Sequence, residues 1–478
     1  MSPSVTTLGL FLVLAAPSCA AVLSVVPLRR WSEAASRVGA LVTVVAALAL
    51  LAAASTGTFG AYLAVDPLSE VFLVMVAGVY LTSVWYSKGY LEDVHRPFLT
   101  PQVYYALLNA FAFAMILALV VSNLGLMWIG VEATTVASAL LIVLERRPSS
   151  VEAAWRYTLI ASAGLTIALF ALLLLYSATG TLNAYTLAAD PPAASLAIQT
   201  AVVLALVGYG TKVGLFPMHT WLPDAHSEAP SPVSAMFSGV LLPTALYAFL
   251  RVYRVLALPV PASVTDLVLA FGLATSIVAA FLLQRQRSFK RMFAYSSMEV
   301  MGLAIVGVAI GGIALYGVLV LLVAHAFAKS AAFYCSGNVL RETGTSRIQD
   351  VRDLRHRMPW TSTAWVLAAA GVTGAPPFGT FVGELLIVVG AIAIGQLWIA
   401  GVLAAAILLA FIGINFQIGR MVWGEGPPGS PESAPHERSG WGLAYVNVAV
   451  ALAIGVAALP YLAPALRSAT RLLGGSGP

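Results

Sequence analysis

Apolar stretches of about 20 residues, long enough to cross a lipid bilayer as a helix, recur from one end of the chain to the other, roughly fourteen in all. With 60% hydrophobic and only 9% charged residues, and a mean hydropathy of +0.91, the sequence leaves no room for a separate soluble domain. The spans are expected at 5–26, 36–54, 68–87, 103–121, 123–144, 155–177, 196–216, 230–253, 264–284, 292–311, 313–336, 362–390, 396–421 and 441–464. The first has no basic residue before it and is followed by Pro27-Leu28-Arg29-Arg30. That reverses the charge order of a signal peptide, so it is expected to be a retained helix.

Two spans are interrupted. The seventh runs into Gly208, Gly210, Gly214 and Pro217, and the twelfth contains Gly371-Val372-Thr373-Gly374-Ala375-Pro376-Pro377-Phe378-Gly379. Proline removes a backbone donor and kinks a helix. Inside a membrane such a break is tolerated only within protein or beside a hydrated cavity. The breaks lie five spans apart, and an odd number of spans reverses orientation. An all-α membrane fold with two inverted five-helix repeats is therefore expected, each repeat with its broken helix in fourth place. The expected divisions are three N-terminal spans over 1–100, a first repeat over 101–255, a second over 262–422, and a cytoplasmic loop with the last span over 423–478.

Charge orients this array. With the N-terminus outside, the loops after odd-numbered spans hold Arg29, Arg30, Arg37, Lys88, Arg96, Arg146, Arg147, Arg156, Arg285, Arg287, Lys290 and Arg291, and the further clusters at 341–357 and 420–438. That is about 19 of the 25 basic residues, as expected of cytoplasmic loops. Both termini are then expected on the outer face of a bacterial or archaeal cytoplasmic membrane.

Against this background the ionisable residues inside spans stand out. An ionised side chain at the bilayer centre costs about 2.5–3.5 kcal/mol or more, so it faces protein or a hydrated cavity and is a functional candidate. Lys212 is one, and Glu132, Glu299, His325, Lys329 and Glu384 are further candidates. His325 and Lys329 are four residues apart and share a helix face. A file of acids and bases across several spans is what a proton path requires. The competing readings are a snorkelling lysine, a buried acceptor for Thr135 in the case of Glu132, and a satisfied core histidine. His219 and His226 are expected on a cytoplasmic loop, with His226 part of a proton entrance and Asp224 shaping the Leu222-Pro223-Asp224 turn. His95, His356 and His436, in charged loops, are expected to be solvated.

No GxxxxGK[ST] phosphate loop and no HExxH occurs, and Cys19 and Cys335 form no CxxC pair. No cofactor or metal site is expected in this chain, so redox or ATP chemistry is assigned to another polypeptide. The charge of +5 resides in loops between spans and points to topology rather than to nucleic acid.

The stretch from Gly210-Thr211-Lys212-Val213-Gly214 through Phe216-Pro217-Met218-His219-Thr220-Trp221-Leu222-Pro223-Asp224-Ala225-His226 to Ser234-Ala235 resembles the signature of the antiporter-like subunits of respiratory complex I, Mrp cation/proton antiporters and membrane-bound hydrogenases. Val131-Glu132-Ala133-Thr134-Thr135, Tyr295-Ser296-Ser297-Met298-Glu299, His325-Ala326-Phe327-Ala328-Lys329 and Gly374-Ala375-Pro376-Pro377 extend it, and within that superfamily the chain is most similar to the hydrogenase-4 component F type.

The resemblance implies a subunit of a redox complex that moves protons through two half-channels joined by a polar axis. Partner membrane subunits and a peripheral hydrogenase or dehydrogenase arm would supply the electrons. It also implies that Glu132 partners Lys212, that Glu299 and His325 lie on the central axis, and that Glu384 is the terminal charged residue. Two departures are visible. Many relatives place a lysine where Leu242-Pro243-Thr244 stands, and hydrogenase-4-like relatives often a histidine where Val300 stands. The alternatives are a Mrp-like cation/proton antiporter subunit and a non-conducting membrane anchor or inorganic-carbon uptake partner.

Overall fold

The computed structural model describes residues 3–26, 28–54, 56–94, 97–255, 260–425, 437 and 440–475. His95, Arg96, His436 and Arg438 lie outside the described residues. The chain folds into helices α1 (Pro3–Ser24), α2 (Arg29–Ala53), α3 (Pro67–Glu92), α4 (Pro101–Val120), α5 (Leu124–Ile142) and α6 (Pro148–Thr179). There follow α7 (Leu196–Val213), the short α8 (Leu222–Glu228) and α9 (Ser231–Arg254). The second half comprises α10 (Ala262–Gln284), α11 (Phe289–Ile310), α12 (Gly312–Thr343), α13 (Pro359–Val372), α14 (Gly379–Ala393), α15 (Leu397–Trp423) and α16 (Trp441–Leu472).

Among the described residues, 13 helical segments are long and apolar enough to cross a membrane, with α7 and α8 counted as one, and the α13–α14 pair adds a broken crossing. In sequence order the broken crossings are the seventh and the twelfth.

Local chemistry sets the ends of these helices. Asp66 and Ser69 form a capping box at α3, with Pro67 at its first position. Asn123 accepts from the backbone N–H groups of Gly125 (2.8 Å) and Leu126 (3.2 Å) to start α5. Between α2 and α3 a small antiparallel hairpin, β1 (Gly57–Phe59) and β2 (Leu63–Val65), pairs Gly57 with Val65. It interrupts the apolar run after α2, and Gly60 supplies the left-handed residue (φ 66°) of its turn.

The inner layer consists of α9, α11 and α12, buried along nearly their whole length, while α1 and α16 leave most of their surface outward. Where two helices must approach closely the sequence supplies small residues. A Cβ at Gly208 of α7 would run into the Ala168 backbone of α6, and one at Gly239 of α9 would meet the Ala326 carbonyl of α12. The α9 crossing carries Pro243 in its interior, preceded by a π-helical turn at Phe237–Leu241. The wider turn relieves the clash that a proline ring makes with the carbonyl four residues earlier.

Candidate functional site: a buried file of ionisable side chains

α7 ends on Gly214, whose left-handed backbone (φ 88°) stops the helix inside the protein just beyond Lys212. The freed Thr211 carbonyl accepts from Trp221 Nε1 at 2.8 Å. Lys212 is fully buried. Its Nζ donates to Thr135 Oγ1 of α5 at 2.6 Å and to Tyr157 OH of α6 at 2.8 Å, and lies 4.7 Å from the centre of the Tyr157 ring. Ser138 Oγ spends its hydrogen on the Thr134 carbonyl (2.5 Å), so the 2.9 Å contact between Tyr157 and Ser138 has the phenol as donor. The lysine therefore heads a directed chain through Tyr157 to Ser138.

Glu132, one turn before Thr135 on α5, accepts from Ser162 Oγ at 2.7 Å, and its other carboxylate oxygen is buried with no partner among the described residues. Lys212 and Glu132 form no salt bridge among the described residues. They remain within electrostatic reach of each other, but the partnership that the resemblance implies is not a direct contact.

The second half of the molecule holds a matching cluster. Lys329 of α12 is fully buried; its Nζ donates to the Phe293 carbonyl at 2.6 Å and to Ser296 Oγ, both on α11. Glu299 lies one turn beyond Ser296 and has a buried carboxylate oxygen without a partner among the described residues. His325 lies one turn before Lys329, fully buried, with neither ring nitrogen partnered among the described residues. Glu299 is within electrostatic reach of Lys329 on one side and of Glu384 on the other. Glu384, on α14, presses its carboxylate against Gly374 in the break between α13 and α14. Any side chain at Gly374, whose φ is 63°, would overlap that carboxylate, so the break shapes the Glu384 pocket.

His226 joins the two clusters. The expectation that it lies on a cytoplasmic loop is corrected: it is fully buried on α8, the second half of the broken seventh crossing. A polar heptad containing proline reads as a loop, yet it completes a crossing and packs inward. The imidazole lies 6.1 Å from the Trp221 ring, 5.5 Å from Phe237 and 6.3 Å from Phe333, centre to centre. Phe237 in turn packs on Tyr157 (5.7 Å), and Phe333 on Phe293 (6.2 Å), the ring beneath Lys329. An aromatic wall thus runs from the Lys212 partner to the Lys329 partner with one imidazole at its middle. Nδ1 of His226 meets the Leu222 carbonyl at 2.8 Å, and a carbonyl only accepts, so Nδ1 carries the hydrogen. Nε2 is left with its lone pair free of any partner among the described residues.

The family described as NADH:quinone oxidoreductase/Mrp antiporter, TM, matches residues 121–410, more than half of the chain and all of the file just described. The chain belongs to this antiporter-like family. It is 33% identical over 384 residues to the hydrogenase-4 component F homolog of Methylacidiphilum infernorum, covering 77% of this chain and 80% of that one. It is 32% identical over 366 residues to NADH-quinone oxidoreductase subunit N of Desulforudis audaxviator, covering 74% of this chain and 71% of that one. A chain of the membrane-bound sulfane sulfur reductase, an archaeal respiratory membrane complex, shares the fold with a TM-score of 0.88 over 97% of both chains at 22% identity.

In this member of the antiporter-like family, Ser238 of α9 meets Ser297 of α11 at 2.6 Å, one turn before Leu242. His219 sits at the α7–α8 break with its Nδ1 unpartnered among the described residues, its ring 5.8 Å from Phe216. Asp224 is held by Arg156 (3.0 Å) and Arg291 (2.8 Å), tying α8 to α6 and α11. His356 pairs with Asp353 on the surface.

Two buried charges escape a reading of the sequence as spans and loops. Arg251, at the edge of the expected eighth span, is 4% exposed and pairs with Asp66. It also donates to Ser69 Oγ (3.0 Å) and Tyr247 OH (2.6 Å), while Tyr185 OH donates to Asp66 at 3.0 Å. Burial pushes the Asp66 carboxyl up, but the Arg251 guanidinium and the Ser69 hydrogen bonds outweigh it and hold the group below the usual carboxylate range. Lys290, which reads as a cytoplasmic-loop residue, is 2% exposed. The signal available for both was their place directly at the edge of an apolar run.

Proposed function

We propose that this chain is a proton-translocating membrane subunit of a redox complex, of the hydrogenase-4 or complex I-like kind, in which protons cross by two half-channels joined by the polar axis. The observation that carries this reading is that Lys212, His226, Lys329, His325, Glu299 and Glu384 are all buried inside the membrane region, four of them with polar atoms left unpartnered among the described residues or packed against a helix break. Buried ionisable groups without structural partners cost stability, so a file of them points to a functional role. Lys212, held by two hydroxyls and felt by Glu132, would release or hold its proton as that carboxylate's field changes.

Membership in the antiporter-like family and the names of the relatives support this reading. Partner membrane subunits and a peripheral hydrogenase or dehydrogenase arm would supply electrons, and both termini would lie outside the cytoplasmic membrane. Mild-detergent purification should recover the chain with further membrane subunits and with a nickel or iron–sulfur protein, read by mass spectrometry and metal content. Recovery of a partner-free chain that exchanges sodium for protons in liposomes would establish the Mrp-like, gradient-driven alternative instead.

A further inference from the structure

Lys290, in the first turn of α11, donates to the Ala229 carbonyl at 2.5 Å, its one hydrogen bond among the described residues. An ammonium has three donors, so two remain for the cavity that Lys290 lines. That cavity, about 80 Å³, is walled by Glu145, Glu228, Tyr90 and Ser346 besides the lysine. Tyr90, Glu145, Arg147 and Leu340 are shared with a wider crevice of about 240 Å³ that reaches Asp93 and Arg341, so the two cavities lie side by side. They lie where α5 and α12 end and α6 and α11 begin, the face that carries the arginine-rich loops. Lys290 is within electrostatic reach of Glu228, Glu145 and Arg147, and His226 is within electrostatic reach of Lys290 and Lys329.

We propose that this crevice is a proton inlet to the axis, with Glu228 taking up protons at its wall and Lys290 as the innermost relay, handing them to the unpartnered Nε2 of His226 and so to Lys329. The inference rests on the proton-translocating reading above and adds to it where protons enter. Glu145 pairs with Arg147 and Asp93 with Arg341, which leaves Glu228, accepting from Ser149 Oγ at 2.8 Å, as the acid of the cavity without an ion pair among the described residues. A proton taken up by Glu228 passes to the Lys290 amine; the resulting ammonium gives it to Nε2, and the imidazolium gives one on toward Lys329. No other species is consumed. A lysine performs such a relay where an arginine does not, because guanidinium keeps its proton.

The test uses the complex carrying this chain, purified with its native partners and reconstituted in liposomes, with proton flux under an imposed pH gradient read by an entrapped pH dye. Lys212→Met is the control for the underlying reading: unchanged flux there overturns that reading and the inlet with it. Given loss in Lys212→Met, Lys290→Arg keeps the cation and the donor to Ala229 and is expected to assemble with flux at least tenfold lower. Normal flux in assembled Lys290→Arg overturns the inlet while leaving the axis intact. Should that variant not assemble, Ser346→Cys in a Cys19→Ser background places a thiol on the cavity wall. Labelling it with a charged methanethiosulfonate should lower flux at least tenfold, reversed by reductant, whereas full labelling with unchanged flux overturns the proposal.

Discussion

Lys212 owes its position to three neighbours that each do a separate job: Gly214 stops the helix behind it, Thr135 and Tyr157 receive its hydrogens, and Glu132 supplies a field without touching it. Lys212→Met keeps length and apolar packing but removes the titratable group, so assembly should survive while proton translocation falls by at least tenfold. Lys212→Arg should be nearly as damaging, since guanidinium does not give up its proton in this range. Both are checked by flux in reconstituted vesicles beside a measure of assembled complex; full translocation in well-assembled Lys212→Met would leave the anchoring alternative ahead. That Lys212, Glu299, His325, Lys329 and Glu384 are buried ionisable residues was legible in the sequence because charge inside an apolar run is conspicuous. Lys290 and Arg251 were not, because a basic residue at the edge of a span looks the same whether it snorkels outward or turns inward. The absence of a Glu132–Lys212 contact was equally invisible, since helix periodicity places Glu132 and Thr135 on one face without saying which of them meets the lysine.

Among the elements, the crossings follow from apolar length, and the two breaks from glycine and proline, so both were legible. The inward-packed α8 was not, because a seven-residue helix is too short for a periodic signal and its polar composition resembles a loop. What fixes the start of α3 against the C-terminal end of α9 is also tertiary: the Asp66–Arg251 pair with Ser69, Tyr185 and Tyr247. Removing one partner leaves the other charge buried alone, so Arg251→Met should cost about 3–5 kcal/mol, seen as a lower midpoint in thermal unfolding of the purified complex. The pair also makes stability depend on pH. The folded Asp66 carboxyl is depressed, so its contribution is complete above its unfolded value of about 4 and declines as pH falls through the folded value. Unfolding midpoints should therefore change little through this group between about pH 7 and pH 5 and drop below about pH 4. Asp66→Asn should flatten that acid limb; an acid limb as steep as that of the unaltered chain would assign it to other carboxylates.

At the scale of the whole molecule, the broken crossings are the seventh and the twelfth, five apart, so the second break runs in the opposite sense to the first, and the loop charges are the basis on which an orientation is proposed. The Lys290 crevice opens on the side that collects most of the basic loops, and the Asp66–Arg251 pair lies at the opposite ends of the crossings. If the basic side is cytoplasmic, the inlet faces the compartment from which a respiratory complex would draw protons, and the orientation becomes a condition for the mechanism rather than a detail. Thr58, on β1, and Asp190, after α6, are exposed at the ends expected outside, while Ser149, before α6, and Thr345, after α12, lie at the ends expected within. In a Cys19→Ser background, with Cys335 buried, single cysteines at those four positions report each side separately. In intact cells an impermeant maleimide should modify Thr58→Cys and Asp190→Cys, and should reach Ser149→Cys and Thr345→Cys only after the membrane is opened. The reverse pattern would turn the molecule over, place the crevice on the outer face, and make the proposed inlet an outlet.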